Sequence, residues 1–167
     1  MRPLRAFPFP LNVGTDICQI SRIYRILRGP RGERFVRRVF SPDEQGRGDL
    51  RRALGSGGRH TADAIDPRGT REELSRAWRS RFAAKEAAIK AHSHRRLTFH
   101  DIIIERRGRD EKRLGSGPPV ARIRGEEAEH GGDTSAMVSI SHDGDYATAV
   151  CMGYDPSVVE QQDGEGP

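Results

Sequence analysis

Residues 72–92, EELSRAWRSRFAAKEAAIKAH, decide the fold that this sequence predicts. Trp78, Phe82 and Ile89 recur at helical spacing and form one apolar stripe. Alanines of high helix propensity fill the second half of the segment, at positions 83, 84, 87, 88 and 91. We expect this helix to form the centre of the domain.

Short apolar runs on both sides of this helix predict β-strands, at residues 11–17, 102–105, 120–124, 136–141 and 146–152. The last two are joined by HDGD at residues 142–145, which we expect to form a hairpin turn. Strands interleaved with helices and a closing hairpin predict an α+β fold.

Between the first strand and the long helix, the apolar spacing of residues 21–40 is helical. Gly29 and Pro30 are expected to break this stretch into two helices. A further short helix is predicted after it, because Ser41 can cap its N-terminus and Glu44 can complete a capping box.

The composition predicts one domain with a thin core, since only 34% of the 167 residues are hydrophobic and 32% are charged. Residues 46–70 are rich in Gly, Arg and Asp, and we expect a flexible insertion there. Residues 1–10 form an N-terminal arm and residues 154–167 a disordered acidic tail, around a domain at residues 11–153.

The formal net charge of +5 favours an anionic partner: nucleic acid, an acidic membrane surface, a phosphorylated ligand or an acidic protein. Seven arginines lie between Arg22 and Arg38 against the single acid Glu33. Such a surface would attract an acidic protein helix or a polyphosphate, or would simply be solvated.

The sequence indicates a reducing, soluble compartment, because its two cysteines lie in apolar runs and no secretory signal or membrane-spanning stretch is present. Arg2 and Arg5, with no acid in the first fifteen residues, have the charge bias of a mitochondrial presequence.

Asp16, at a strand end, and Glu86, on the long helix, are the most suggestive pair for chemistry. Two carboxylates from separate elements can hold a hard divalent cation such as Mg2+ against phosphate oxygens. Lys90 lies one helical turn after Glu86, where it can pair with a phosphate. Local spacing alone also allows a surface ion pair for Glu86 and Lys90, and an Asx-type cap for Asp16.

Other polar residues carry weaker signals. His142 follows Ser139 and Ser141 and could donate to an anion, or could be an ordinary turn residue. Three histidines, His92, His94 and His100, have no companion at a metal-ligand spacing, and we expect them to be exposed polar side chains. The nucleophile-elbow, phosphate-loop and dinucleotide motifs are absent from the sequence.

Three motifs in order resemble the holo-acyl-carrier-protein synthase type of 4'-phosphopantetheinyl transferase. They are VGTDI with RI at 13–17 and 22–23, RFAAKEAAIKA at 81–91, and SISHD at 139–143. The segment FVRRVFSPDE at 35–44 is similar to the family's stretch between its first two motifs, and HRRLTFHDI at 94–102 resembles the fungal mitochondrial branch. Asn12 stands where bacterial members usually have glycine.

The resemblance implies an antiparallel sheet on a long central helix, trimers, and transfer of 4'-phosphopantetheine from coenzyme A to a serine of an apo acyl carrier protein. It implies that Asp16 and Glu86 bind Mg2+ and act in catalysis with Lys90, and that 3',5'-ADP is released. The implied coenzyme A ligands are Arg81, Lys85, Lys90, Ser141 and His142. The implied carrier-docking residues are Arg22, Arg25 and Arg28.

Two questions stay open at the level of sequence. The base that accepts the serine proton is either Glu86 itself or a water on the metal oriented by Glu86. The basic charge also fits a non-enzymatic RNA-binding module, although only 6% of residues are aromatic and none lies in an RNA-binding motif.

Overall fold

The computed structural model describes residues 9–47, 70–106, 118–125 and 132–155, with side chains for all of these except 28, 70–80 and 106. The predicted N-terminal arm and flexible insertion therefore fall almost entirely outside the described residues. The elements are β1 (Leu11–Gln19), α1 (Ile20–Arg28), α2 (Gly32–Val39), α3 (Pro42–Gln45), α4 (Thr70–Ala91), a 3-10 helix (Phe99–Asp101), β2 (Ile102–Arg106), β3 (Pro119–Ile123), β4 (Thr134–Asp143) and β5 (Tyr146–Tyr154).

The five strands form one antiparallel sheet in the order β1-β5-β4-β3-β2. Helix α4 packs across one face of this sheet, chiefly against β1 and β5. The predicted α+β fold, with an antiparallel sheet on a long central helix, is confirmed. All five predicted strands are present, and most of them are longer than the sequence predicted.

Small residues let helix α4 approach the sheet closely. The five alanines of its second half are fully buried. Gly14 of β1 lies so near that a Cβ there would overlap the Ala87 carbonyl oxygen, which is backbone and has no rotamer to change. The sequence showed these alanines as helix formers, and the structure shows them as the contact surface for the sheet.

The helices before α4 follow their local signals. Gly29 and Pro30 separate α1 from α2. Ser41 caps α3 as predicted: the Glu44 amide donates to Ser41 Oγ at 3.3 Å, and the Ser41 amide donates to Glu44 Oε2 at 3.1 Å. Helix α2 adds a second small core of Val36, Val39 and Phe40.

Two local predictions are wrong. The hairpin turn is Gly144-Asp145, with Gly144 at φ 51°, and His142 and Asp143 instead belong to β4, because they continue its pairing with β5. The disordered tail was also predicted to begin too early in the chain, at residue 154, which still belongs to β5. Tyr154 pairs with Leu11, and the Asp155 amide donates to the Pro10 carbonyl, so β1 and β5 hold this end of the chain together.

Candidate functional site

The Asp16 and Glu86 carboxylates interact electrostatically at the contact between strand β1 and helix α4. Burial raises the pKa of Glu86, and the negative charge of Asp16 raises it further, which requires the two carboxylates to be near each other. Lys90 opposes this shift, as does Arg38 of α2. Residues 70 positions apart along the chain therefore act on each other electrostatically.

Lys90 forms an ion pair with Asp16. Its Nζ donates to Asp16 Oδ1 at 2.8 Å and to the Thr15 carbonyl oxygen at 2.9 Å. Asp16 is 15% exposed and Lys90 is 51% exposed, so the ion pair opens to solvent on the lysine side. A lysine ammonium has three N–H donors, and these two contacts leave one for an added anion.

The oxygen atoms at this point suit a hard cation. The Asp16 and Glu86 carboxylates and the Thr15 carbonyl are all oxygen donors, and the Lys90 ammonium already places a positive charge between two of them. Mg2+ typically takes one or two carboxylates and completes its shell with water and substrate phosphates. Among the described residues, no group of three or more His, Cys, Asp or Glu side chains could hold a metal. These residues therefore suit Mg2+ when a bound phosphate supplies further oxygen ligands.

Strand β4 presents two of the predicted site residues on opposite faces of the sheet. His142 pairs with Ala147, which pairs with Cys18, so His142 lies on the same face as Asp16, toward α4. Ser141 pairs with Thr148, which pairs with Ile17, so Ser141 lies on the other face. Standard strand spacings put His142 roughly 12 Å from Asp16.

Lys85 does not lie where the sequence suggested. Its side chain is 0% exposed, and its Nζ donates to the Val39 and Phe99 carbonyl oxygens at 2.8 and 2.9 Å and to Glu44 Oε2. The prediction that Lys85 contacts coenzyme A is contradicted by this placement, because all three donors are used inside the protein. Lys85 instead ties α4 to α2, α3 and the 3-10 helix.

Arg81 lies on the same side of α4 as Lys85. At 100° per residue it is 40° from Lys85 and 140° from Glu86 around the helix, by ideal helix geometry of about 3.6 residues per turn. Its positive charge acts on Lys85 and helps to lower the pKa of that lysine, after burial as the main cause. Arg81 is partly exposed, and its predicted role at the coenzyme pocket stays a prediction.

The basic surface predicted from the arginine run lies on α1 and α2. Arg22 and Arg25 are exposed and three residues apart, so they project from one side of α1. The side chain of Arg28 lies outside the described residues. The sequence showed Arg38 only as one of seven arginines. In the structure its positive charge acts on Glu86 and lowers the pKa of that carboxyl.

The histidine expectation is wrong for His92, which is buried beneath Gly153. Its Nδ1 lies 2.8 Å from the Ala88 carbonyl oxygen, and burial lowers its pKa, so the neutral ring donates this hydrogen bond. His94 lies 3.6 Å from the Asp155 carboxylate, and His100 contacts the Arg37 carbonyl. These contacts hold the turn after α4 and the start of β2 in place.

The face of the sheet opposite α4 carries a group of exposed large apolar side chains, which we call the open face. Paired residues on β1, β5 and β4 project there together. Its exposed members are Leu11, Val13, Ile17, Met137, Tyr146, Val150 and Tyr154. Large exposed apolar patches often occur at sites of protein association. No helix in the described parts of the chain is long and apolar enough to cross a lipid bilayer.

Comparison with known proteins identifies the arrangement. Residues 12–151 match the family model of the 4'-phosphopantetheinyl transferase superfamily. A holo-acyl-carrier-protein synthase of Anaeromyxobacter dehalogenans (strain 2CP-C) is 34% identical over 148 residues, covering 85% of this chain and 94% of that protein. The mitochondrial 4'-phosphopantetheinyl transferase B of Aspergillus fumigatus is 35% identical over 154 residues, covering 87% and 95%. The solved ACPS-CoA complex of Chronobacterium ammoniagenes is 30% identical with a TM-score of 0.53, covering 87% of this chain and 98% of that chain.

Proposed function

Because the chain belongs to the 4'-phosphopantetheinyl transferase superfamily, we propose that it is a holo-acyl-carrier-protein synthase that uses Mg2+ held by Asp16 and Glu86. It transfers 4'-phosphopantetheine from coenzyme A to a serine of an apo acyl carrier protein. The observation that carries this proposal is the meeting of the two carboxylates beside Lys90. Two acids and a lysine together suit a diphosphate with a cation.

In the proposed reaction, the carrier serine oxygen attacks the phosphorus next to pantetheine. A new bond forms between that oxygen and phosphorus, the bond to the bridging oxygen of the diphosphate breaks, and 3',5'-ADP leaves. Mg2+ would supply charge neutralisation on the diphosphate oxygens. Lys90 would add a hydrogen bond and a second positive charge from the protein.

Glu86 is the residue that we propose as the acceptor of the serine proton. In the chain without metal, burial and the Asp16 charge raise the pKa of Glu86, which makes its carboxylate a better proton acceptor than that of an exposed glutamate. Asp16, held by Lys90, stays available as an anionic ligand. Both acids are thus proposed to hold Mg2+, and Glu86 is additionally proposed to accept the proton because its surroundings differ from those of Asp16.

Coenzyme A carries a diphosphate and a separate 3'-phosphate, and the structure offers phosphate-binding side chains at two separated places. Lys90 lies at the carboxylate pair, and His142 lies on the same face of the sheet roughly 12 Å away by strand spacing. One side chain cannot reach both phosphates across that distance. We therefore place the diphosphate at Lys90 and the 3'-phosphate near His142.

Carrier docking is proposed for the exposed arginines of α1. Acyl carrier protein would present acidic side chains, and the exposed Arg22 and Arg25 project from one side of α1. Charge reversal at both should raise the KM for the carrier far more than the KM for coenzyme A. An equal effect on both substrates would contradict this division of surfaces.

We further propose that three copies of the chain associate through the open face. Association would remove its exposed apolar side chains from water. Ser141 lies on the same face, so association would also bring a predicted coenzyme ligand to a subunit boundary. Light scattering should give three times the protomer mass, and Ile17→Asp should reduce that mass. A monomeric wild-type chain at micromolar concentration would refute this assembly.

The proposed compartment is the mitochondrion, with the cytoplasm as the alternative. The fungal relative at 35% identity is mitochondrial by name, and the arm at residues 1–10 contains arginines and no acid. The modified carrier would then serve fatty acid or lipoate-precursor synthesis. Imaging of a fluorescent fusion in cells of the source organism distinguishes the two compartments.

The deciding experiment is mass spectrometry of an apo carrier protein incubated with the chain, coenzyme A and Mg2+. Wild type should add the mass of one phosphopantetheine, and chelation of the metal should stop the addition. Asp16→Ala and Glu86→Gln should lose transfer, whereas Asp133→Asn, which removes an exposed acid of an Arg122 pair, should not. A salt-sensitive gel shift with RNA and no mass gain would instead support the RNA-binding alternative.

A further inference from the structure

Helix α1 begins without a cap from its own sequence. Gln19, at its N-cap position, makes no side-chain capping hydrogen bond, and no acidic residue lies in its first turn. The first amides of a helix have no partners within the helix and need acceptors from elsewhere. For the helix that carries Arg22 and Arg25, these acceptors come from a remote part of the chain.

Asp145, in the β4–β5 hairpin turn, supplies the acceptors. Its carboxylate receives the Ser21 amide at 2.9 Å and the Ser21 hydroxyl at 2.6 Å, and its carbonyl oxygen receives the Ile20 amide at 2.8 Å. Ser21 and Asp145 are 124 positions apart. A carboxylate at a helix N-terminus also interacts favourably with the helix dipole.

The contact between Asp145 and Ser21 links two parts of the proposed site that are far apart in the sequence. Helix α1 presents the arginines proposed to receive the carrier, and β4 ends two residues before Asp145 with Ser141 and His142, which are proposed to contact coenzyme A. Strand β1 runs directly into α1 and pairs with β5 as far as Gln19 and Tyr146, and the Asp145 contacts hold the first turn of α1 against the hairpin at the end of β4. A transfer reaction depends on this spacing because its two substrates must meet at one phosphorus atom.

We propose that Asp145 is a positioning residue that aligns the carrier-docking helix with the coenzyme A strand. This inference rests on the proposed function. Its carboxylate touches neither substrate and acts through Ser21 and the first turn of α1. Loss of the carboxylate should loosen that turn and move Arg22, which directly follows Ser21, while leaving the Asp16, Glu86 and Lys90 contacts in place.

The test compares Asp145→Ala with Asp145→Glu and with the control Asp133→Asn, another acid next to β4 whose partner is Arg122. In Asp145→Ala, the KM for the apo carrier should rise about fivefold, equivalent to about 1 kcal/mol, the usual loss when a cap is removed. The KM for coenzyme A should stay within about twofold of wild type, because the Asp16, Glu86 and Lys90 contacts remain in place. Asp145→Glu keeps the carboxylate and should restore most of the carrier KM.

Amide hydrogen exchange gives a readout independent of turnover. The amides of Ile20, Ser21 and Arg22 should exchange faster than in wild type in Asp145→Ala, and their exchange rates should be unchanged in Asp133→Asn. A variant that merely unfolds more often would lose kcat and overall protection without a selective change in carrier KM.

The outcomes separate the two claims. If the wild-type chain transfers no phosphopantetheine, the proposed function fails and the alignment role falls with it. If wild type is active but Asp145→Ala matches the Asp133→Asn control in exchange and in both KM values, the positioning role alone is overturned. A rise of both KM values by the same factor would also overturn it.

Discussion

Lys85→Met is the perturbation that tests most directly how the domain holds its catalytic helix. Methionine keeps the length and most of the volume of the side chain but removes the ammonium group and its three hydrogen bonds. Glu44, 1% exposed, would keep its charge without its cationic partner. The Val39 and Phe99 carbonyls would lose their donors as well.

The expected loss is large. Removal of one partner from a buried ion pair costs about 3–5 kcal/mol, because the remaining charge stays buried. Against a typical stability of about 5–15 kcal/mol for a whole domain, this is about a fifth or more. Replacing both partners removes the stranded charge, so Lys85→Met with Glu44→Gln should lose less than the two single variants together. The amide oxygen introduced by Glu44→Gln can still accept from the Ser41 amide, which keeps the cap of α3.

The assay is urea unfolding followed by circular dichroism, with all four proteins of the cycle at one protomer concentration. A coupling energy of about 2 kcal/mol or more is expected between the two sites, in the upper part of the range for residues in direct contact. If Lys85→Met loses less than about 1 kcal/mol, or if the two changes are additive, the buried pair does not hold the helix as described.

Three further outcomes follow from the same contacts. Glu86→Gln should lower the transfer rate by about 10²–10⁴-fold. Calorimetry without divalent metal should find this variant more stable than wild type near pH 7. The folded state raises the pKa of Glu86, so its ionisation destabilises the fold at higher pH. The gain in stability should therefore vanish below the ordinary glutamate pKa of 4.5. Gly14→Ala should cost about 1–3 kcal/mol or more in urea unfolding, since its Cβ would overlap backbone of α4, whereas Gly132→Ala, with no atom within 4 Å, should be close to neutral. Burial raises the pKa of Cys151 to about 11 from an ordinary 9.0, so its alkylation at pH 8 should be about a hundredfold slower in the folded chain than in urea, measured by peptide mass. Equal rates would show that the thiol is accessible and ordinary.

The antiparallel sheet on a long helix could be predicted because each element has its own local signal. Helical alanines, alternating strand residues and the Ser41 capping box are readable from short windows of sequence. The hairpin turn was placed two residues early because His142 and Asp143 are polar enough to look like turn residues. Pairing with β5, which is a tertiary fact, keeps them in the strand.

The site was only partly readable for a related reason. Asp16, Glu86 and Lys90 were identified together through a family resemblance, and in the structure Lys90 pairs with Asp16 while both charges act on Glu86. Lys85, adjacent to Glu86 in the same motif, was assigned to the ligand as well, because a motif does not state which side of a helix faces the core. A rotation of 100° per residue separates the half-buried Glu86 carboxylate from a lysine that is fully buried.

By itself, the sequence determined the elements, their order, the family and the residue types of the site, because these depend on neighbours a few positions apart. Only the tertiary structure decided which side chains meet: Lys90 on Asp16, Lys85 on Glu44, and Asp145 at the start of α1. Each of these contacts joins residues at least 41 positions apart. Such contacts depend on strand register and on helix orientation against the sheet, which are set by the packing of the whole core.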